Sequence, residues 1–263
     1  MGSETLKKSK TPSLSKLSQN QQKKLDFNTK IAPFMKIGFL LASAISLHNM
    51  WTQNYINDSF NTEYLTSKFF WIMIFFLSIS HIIYFIIWHF PSQYITICSN
   101  PCVHPVDLTF AFVFVGKVVQ FSICIIWYLY INSFFLGEET NYPVSFLKLA
   151  SGVFLLICGQ WLNSAVWKTL GINGVCYGFK LGRPVPWITG FPFNIGVSNP
   201  QYVGSVITNF GFISILINPL TAKSGILFAF MMQSLFYAFS SYVETYTGTV
   251  SYTHLTLPTI CSV

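Results

Sequence analysis

The chain alternates between long apolar runs and short polar connectors, and the runs have the length of bilayer spans. They cover about Ile31–Trp51, Phe69–Phe90, Leu108–Leu136, Ser145–Trp167, Val203–Asn218 and Gly225–Val243. All but the fifth approach or exceed the ~20 residues that cross a hydrocarbon core as helix. Backbone N–H and C=O groups find no water in lipid, so such runs must satisfy their hydrogen bonds internally as helix. The pattern predicts an all-α, polytopic helical membrane protein with about five to six membrane segments. Val203–Asn218 is short, so the last two segments, joined by PLTAKS, can form a helical hairpin.

The polar stretches set the outer boundaries. Residues 1–30 are rich in Lys, Ser, Gln and Thr, which predicts a disordered cytoplasmic tail. Residues 31–247 read as one membrane domain. The last stretch, VSYTHLTLPTICSV, follows no membrane pattern and resembles a translated sequencing adaptor, so residues 250–263 are expected to be non-native.

Composition sharpens the class. Of 263 residues, 52% are hydrophobic, 18% aromatic and only 9% charged, far below the roughly 25% charge of soluble domains. Residues 1–36 carry eight lysines against Glu4 and Asp26, whereas the remainder is nearly balanced. Nucleic-acid binding would need a basic face on a folded domain; a lysine tail before a first span is instead a topology signal. Six crossings then put the 168–202 loop, with Lys168, Lys180 and Arg183, on the cytoplasmic side together with Glu244. Cys98, Cys102 and His104 cluster but lack a fourth ligand at metal-binding spacing, so no metal site is expected. His48, His81 and His89 read as satisfied membrane or interface histidines.

Candidate chemistry concentrates between Gly159 and Gly204, a stretch that also holds the chain's sole arginine, Arg183. Its glycines, among them Gly174 and Gly178, let backbone approach backbone or a ligand closely. Its Tyr177, Trp187 and Tyr202 suit the membrane interface. Lys180 and Arg183 can meet a phosphate, the arginine in bidentate fashion. Lys117 is an ionisable residue within a span, where the alternatives are a functional contact with a lipid phosphate and snorkelling to the interface. Helix packing, the interfacial aromatic belt and topology are the alternative roles of the remaining residues.

These residues carry a resemblance. LGINGVCYGFKLG, PW-x-x-x-FPFN and NPQYVGS are similar to the phospholipid N-methyltransferase family, the plant-type members in particular, and Lys117 and Gln120 match a K-x-x-Q pair of that group. The resemblance implies an integral membrane enzyme of the endoplasmic reticulum, with its N-terminus and active site cytoplasmic. It would move methyl groups from S-adenosylmethionine to the amine of ethanolamine phospholipids, toward phosphatidylcholine. It further implies cofactor contacts from a G-x-G that falls on Ile157, Cys158 and Gly159, and from an acidic pair that falls on Glu244 and Thr245. Gly174, Tyr177, Gly178, Pro200 and Tyr202 complete the expected cofactor set. The lipid is expected to meet Lys117, Lys180, Arg183, Trp187, Phe193 and Asn194. No general base is evident. Methyltransferases acting on prenylcysteine carry R-H-P-x-Y where this chain has Ser198-Asn199-Pro200-Gln201-Tyr202; that substrate and a non-catalytic membrane scaffold or carrier are the alternatives.

Overall fold

A computed structural model describes residues 19–99, 102–132, 145–185, 188, 190–197 and 199–252. The helices are α1 (Gln19–Thr52), α2 (Tyr55–Asp58), α3 (Lys68–His89), α4 (Pro91–Ile97), α5 (Pro105–Ile131), α6 (Phe146–Val175), α7 (Pro200–Leu216), α8 (Pro219–Lys223) and α9 (Ile226–Tyr252). Their ends follow local chemistry. Ser67 caps α3 by accepting from the Phe70 amide at 3.4 Å, and Pro105 and Pro200 open α5 and α7 where a missing N–H costs nothing. Asn218 and Thr221 close a reciprocal capping box on α8.

Among the described residues, five helices are long and apolar enough to cross a membrane: Asp26–Thr52, Lys68–His89, Pro105–Ile131, Phe146–Val175 and Ile226–Thr245. Their outward side chains, such as Phe75, Phe114, Leu147 and Leu235, are exposed and apolar, as a lipid-facing surface requires. The chain is an integral membrane protein. α7 is shorter, about 25 Å at 1.5 Å per residue, yet runs antiparallel along α6 and beside α9.

Contacts at the two ends fix the chain path. One end gathers the starts of α1, α5 and α7 with the ends of α3, α6 and α9: Trp161 lies 3.4 Å from Asn28, Lys36 donates to the Ile195 carbonyl at 2.7 Å, and Arg183 pairs with Asp107. At the other end Asn218 donates to Asn132 at 2.7 Å and the Lys148 ammonium lies 5.7 Å from the Tyr55 ring centroid. Ser46, Ser151 and Ser214 join α1, α6 and α7 in the interior, with Ser46 Oγ 3.0 Å and 2.8 Å from the other two hydroxyls.

The α6–α7 seam is built from glycines seven residues apart on each helix. Gly159 faces Gly204 and Thr208, and Gly152 faces Gly211. A Cβ on Gly159 would lie 2.5 Å from the Gly204 carbonyl, and one on Gly211 would lie 2.8 Å from the Gly152 carbonyl. Without a hydrophobic drive between helices in lipid, close backbone approach of this kind supplies the packing.

Four boundaries differ from the sequence pattern. α1 begins at Gln19, inside the tail expected to be disordered over 1–30, because Gln, Lys and Leu extend a helix well once a span nucleates it; residues 1–18 lie outside the described residues. The third span ends at Ile131 rather than Leu136, with 133–144 outside the description. α6 continues to Val175 instead of stopping at Trp167, so Lys168 is an exposed helical residue, and Gly171 (φ 64°) breaks the helical path without ending it. α9 takes in residues 250–252 of the expected non-native tail, the rest of which lies outside the description.

Candidate active site

Three side chains from three separate segments converge at the end of the bundle where α6 finishes. Tyr177, just after α6, and Tyr202, in the first turn of α7, both donate to Oε1 of Glu244 on α9. Their hydroxyl oxygens lie 2.8 Å apart. Tyr177 holds a left-handed backbone (φ 54°), rare for a residue with a side chain and costing about 1–2 kcal/mol. Strain of this kind persists where surrounding contacts over-determine it; here they include the Glu244 bond and edge-on packing against Tyr84 and Trp88, with centroids 5.5 Å and 5.8 Å away. Burial, reinforced by the facing Tyr202 and Glu244, pushes the Tyr177 phenol well above its ordinary pKa, so it remains a hydrogen-bond donor. The neighbouring Cys176 thiol is pushed up to about 12 by burial, with a smaller contribution from Asp107.

Beside this cluster, α3 and α9 enclose a cavity of about 220 Å³. Its walls are aromatic, with Tyr84, Phe85, Trp88, Tyr177 and Phe236, and Glu244 and His81 line it as ionisable groups. Ile82, Phe85 and Phe239 form part of the lining and are 49%, 43% and 55% exposed on the outer, lipid-facing surface. Above it, the Lys180 ammonium sits 4.4 Å from the Trp88 centroid, and partial burial lowers its pKa. An acidic oxygen at one end of an aromatic, lipid-open cavity is suited to an organic cation.

The helices that bring Tyr177, Tyr202 and Glu244 together are also those with a recognisable sequence. Residues 147–253 match the phospholipid methyltransferase family. The match bears out the resemblance drawn from the motifs, and it spans α6 to α9 but not α3 or α5. A phosphatidyl-N-methylethanolamine N-methyltransferase of Arabidopsis thaliana is 44% identical over 54 residues, 20% of this chain and 32% of that protein. The chain thus spans about a third of the length of the curated relative that it matches. No solved structure matches the chain.

Within the matched stretch, the expected site residues separate into groups. Tyr177, Tyr202 and Glu244 meet directly; Thr245 lies beside them, its hydroxyl 3.5 Å from Asn199 Nδ2, which donates to Ser241 Oγ at 2.6 Å. Pro200 is buried at the start of α7, and Gly178 forms the tight turn after α6, its amide donating to the Asn173 carbonyl at 2.6 Å. Gly174 lies one turn earlier, against the Leu170 side chain. The G-x-G positions point elsewhere: Ile157 is 55% exposed on the outer surface, Cys158 is buried, and Gly159 faces α7 in the packing seam.

The expected lipid contacts divide similarly. Arg183 forms a bidentate pair with Asp107, at 2.7 Å and 2.5 Å, which raises its pKa further and ties the post-α6 turn to the start of α5. Lys117 donates to Tyr237 Oη at 2.6 Å and Gln120 Oε1 at 3.0 Å, while Gln120 donates to the Leu77 carbonyl at 2.8 Å and Ser80 Oγ at 3.0 Å. That network joins α3, α5 and α9 and reaches the site through Tyr237, whose ring lies 6.0 Å from that of Tyr202. Half-buried Phe193 and exposed Asn194 belong to a turn fastened to α1 through Lys36 and the Ile195 carbonyl, and to α6 through buried Phe191, which packs on Trp161 at 4.9 Å. Trp187 lies outside the described residues. Cys98, Cys102 and His104 form no metal cluster among the described residues, and His104 caps α5 instead.

Tyr84, Trp88, His81 and Tyr237 were not among the residues expected from sequence. The signal was present: His81, Tyr84 and Trp88 recur at i, i+3 and i+7, one face of α3.

Proposed function

We propose that this chain is an S-adenosylmethionine-dependent N-methyltransferase acting on ethanolamine phospholipids toward phosphatidylcholine, in the endoplasmic reticulum membrane with its site facing the cytoplasm. The observation that carries the reading is the Glu244 carboxyl, clamped by Tyr177 and Tyr202 at one end of an aromatic cavity, inside the stretch that matches the phospholipid methyltransferase family.

The residues present fit the donor. Both phenols address Oε1, so Oε2 of Glu244 is the oxygen suited to the ammonium of the donor's amino-acid end. S-adenosylmethionine, when bound, supplies the methyl group from a sulfonium. The chain's contribution is to bind, align and exclude water, and alignment of two reactants is worth on the order of 7–11 kcal/mol. Tyr84, Trp88 and Tyr177 present ring faces and edges to a headgroup that gains methyl groups and keeps a positive charge, each favourable face worth about 0.5–2 kcal/mol. The exposed mouth at Ile82, Phe85 and Phe239 lets a lipid reach the cavity from the bilayer. Lys180, at the rim, is the cation best placed for the phosphate, because Arg183 is engaged by Asp107.

The test is expression in cells that lack their own ethanolamine-lipid methylation, with labelled methionine and lipid analysis. Mono-, di- or trimethylated ethanolamine lipids are expected. Correctly inserted protein that yields none of them refutes the reading.

A further inference from the structure

His81 belongs to α3 and lies on the face that lines the cavity, outside the stretch matched by the family. It is 7% exposed, and among the described residues its Nε2 has no hydrogen-bond partner. Nδ1 stands 3.4 Å from Ser240 Oγ. The ring is held in place by Tyr237, edge-on at 4.5 Å and 79°, and by Phe236 at 5.4 Å. A buried ring nitrogen without a partner is costly unless something else supplies one. With its hydrogen on Nδ1, directed at Ser240, the imidazole presents the Nε2 lone pair as an acceptor. The titratable groups around it are Lys117 from α5, Tyr237 and Glu244 from α9, Tyr84 on α3, and Tyr177 after α6.

We propose that His81 Nε2 is the general base that takes the proton from the headgroup ammonium of the lipid substrate; the proposal rests on the methyltransferase reading above. An ethanolamine headgroup at neutral pH is an ammonium and has no lone pair to attack with. Its N–H bond breaks and the proton passes to Nε2, giving an imidazolium and a neutral amine. The amine lone pair then forms the N–CH₃ bond while the S–CH₃ bond of the sulfonium donor breaks, its electron pair remaining on sulfur. Two positive charges enter, on ammonium and sulfonium, and two leave, on imidazolium and methylammonium. The imidazolium returns its proton to water as the product departs. A monomethylated headgroup still carries two N–H bonds and a dimethylated one still carries one, so both use the same step. A trimethylated headgroup has none, so the cycle ends there.

The experiment uses the full chain in nanodiscs containing ethanolamine lipid, comparing wild type with His81→Phe and His81→Gln. Phenylalanine keeps the packing on Tyr237 and Phe236 without ring nitrogens; glutamine keeps a polar group without an imidazole. Both variants are expected to bind S-adenosylmethionine with wild-type affinity by calorimetry. At neutral pH they should transfer methyl about 10²- to 10⁴-fold more slowly, with the deficit shrinking as alkaline buffer supplies free amine. Wild-type rates, a deficit constant with pH, or loss of donor binding in both variants overturns the proposal, the last two by assigning the ring a packing role. A second readout needs no variant: with S-adenosylhomocysteine bound, adding ethanolamine lipid should shift the ¹⁵N resonance of a histidine Nε2, whereas choline lipid, having no N–H, should not. No response to ethanolamine lipid overturns it too. Wild type that methylates no aminolipid refutes the methyltransferase reading itself, whereas an active wild type with unaffected variants refutes the base alone.

Discussion

The family resemblance assigns Gly159 to a cofactor-binding G-x-G, whereas in the structure it faces the backbone of α7, and Gly159→Ala separates the two roles. The added Cβ would meet Thr208 Oγ1 and lie 2.5 Å from the Gly204 carbonyl and 2.7 Å from the Thr208 amide nitrogen. Against an ordinary contact of 3.4 Å, the helices must part by nearly an ångström, and the backbone atoms involved have no rotamer by which to yield. Overpacking of this kind costs about 1–3 kcal/mol. Because Tyr202 sits two residues before Gly204, displacing α7 also withdraws a donor from Glu244. Gly159→Ala is therefore expected to lose both stability, by thermal denaturation in detergent, and donor affinity, by calorimetry. Gly211→Ala, meeting the Gly152 carbonyl at 2.8 Å toward the other end of the same seam, should lose stability alone. A Gly159→Ala protein as stable as wild type that no longer binds S-adenosylmethionine would refute the packing argument and return this glycine to direct cofactor contact.

Glu244→Gln should weaken S-adenosylmethionine binding about ten- to hundredfold, corresponding to the ~1.5–3 kcal/mol of a hydrogen bond to a charged group; unchanged affinity removes the assignment. Tyr202→Phe should weaken it in the same direction but by less, since Tyr177 still holds Oε1, and equal losses in both variants would contradict this. Lys117→Met leaves the buried Gln120 Oε1 without its lysine donor and should lower stability by about 1–3 kcal/mol in thermal denaturation; wild-type stability would show that the α5–α9 link is dispensable. Arg183→Ala should barely change stability, because its pair with Asp107 is partly exposed and screened by water. A large loss would mean that this pair holds the post-α6 turn.

The membrane architecture was legible because periodicity is not needed to read it: lipid obliges any long apolar run to be helix, and the runs were long. Ends were less legible. Gln19–Lys30 looks like a soluble tail by composition, but helix propensity and continuity with the span decide its state. Within the site, Tyr177, Tyr202 and Glu244 were named as separate candidates, and only the fold shows that they share one oxygen atom. For Arg183 the sequence offers a phosphate as partner, whereas Asp107 is 76 residues away and no local pattern links the two. Ile157 was placed by spacing from Gly171, and spacing cannot report which way a side chain faces when a helix packs on one side and meets lipid on the other. His81 reads in the sequence as an ordinary membrane histidine, since the absence of a partner for one ring nitrogen is a property of the packed state.

The lysine on α5 also bears on how the protein is assembled. Lys117 completes its hydrogen bonds only when Tyr237 arrives on α9, which follows α5 in the chain. Until then Gln120 alone shelters an ammonium at membrane depth, where a charge is expensive. Before α9 inserts, the bundle therefore carries a cation that α9 then conceals, and the same insertion delivers Glu244 to its tyrosines. Masking of the charge and completion of the site are a single event in biogenesis, so a chain arrested before α9 would present to membrane quality control a signal that the finished protein lacks.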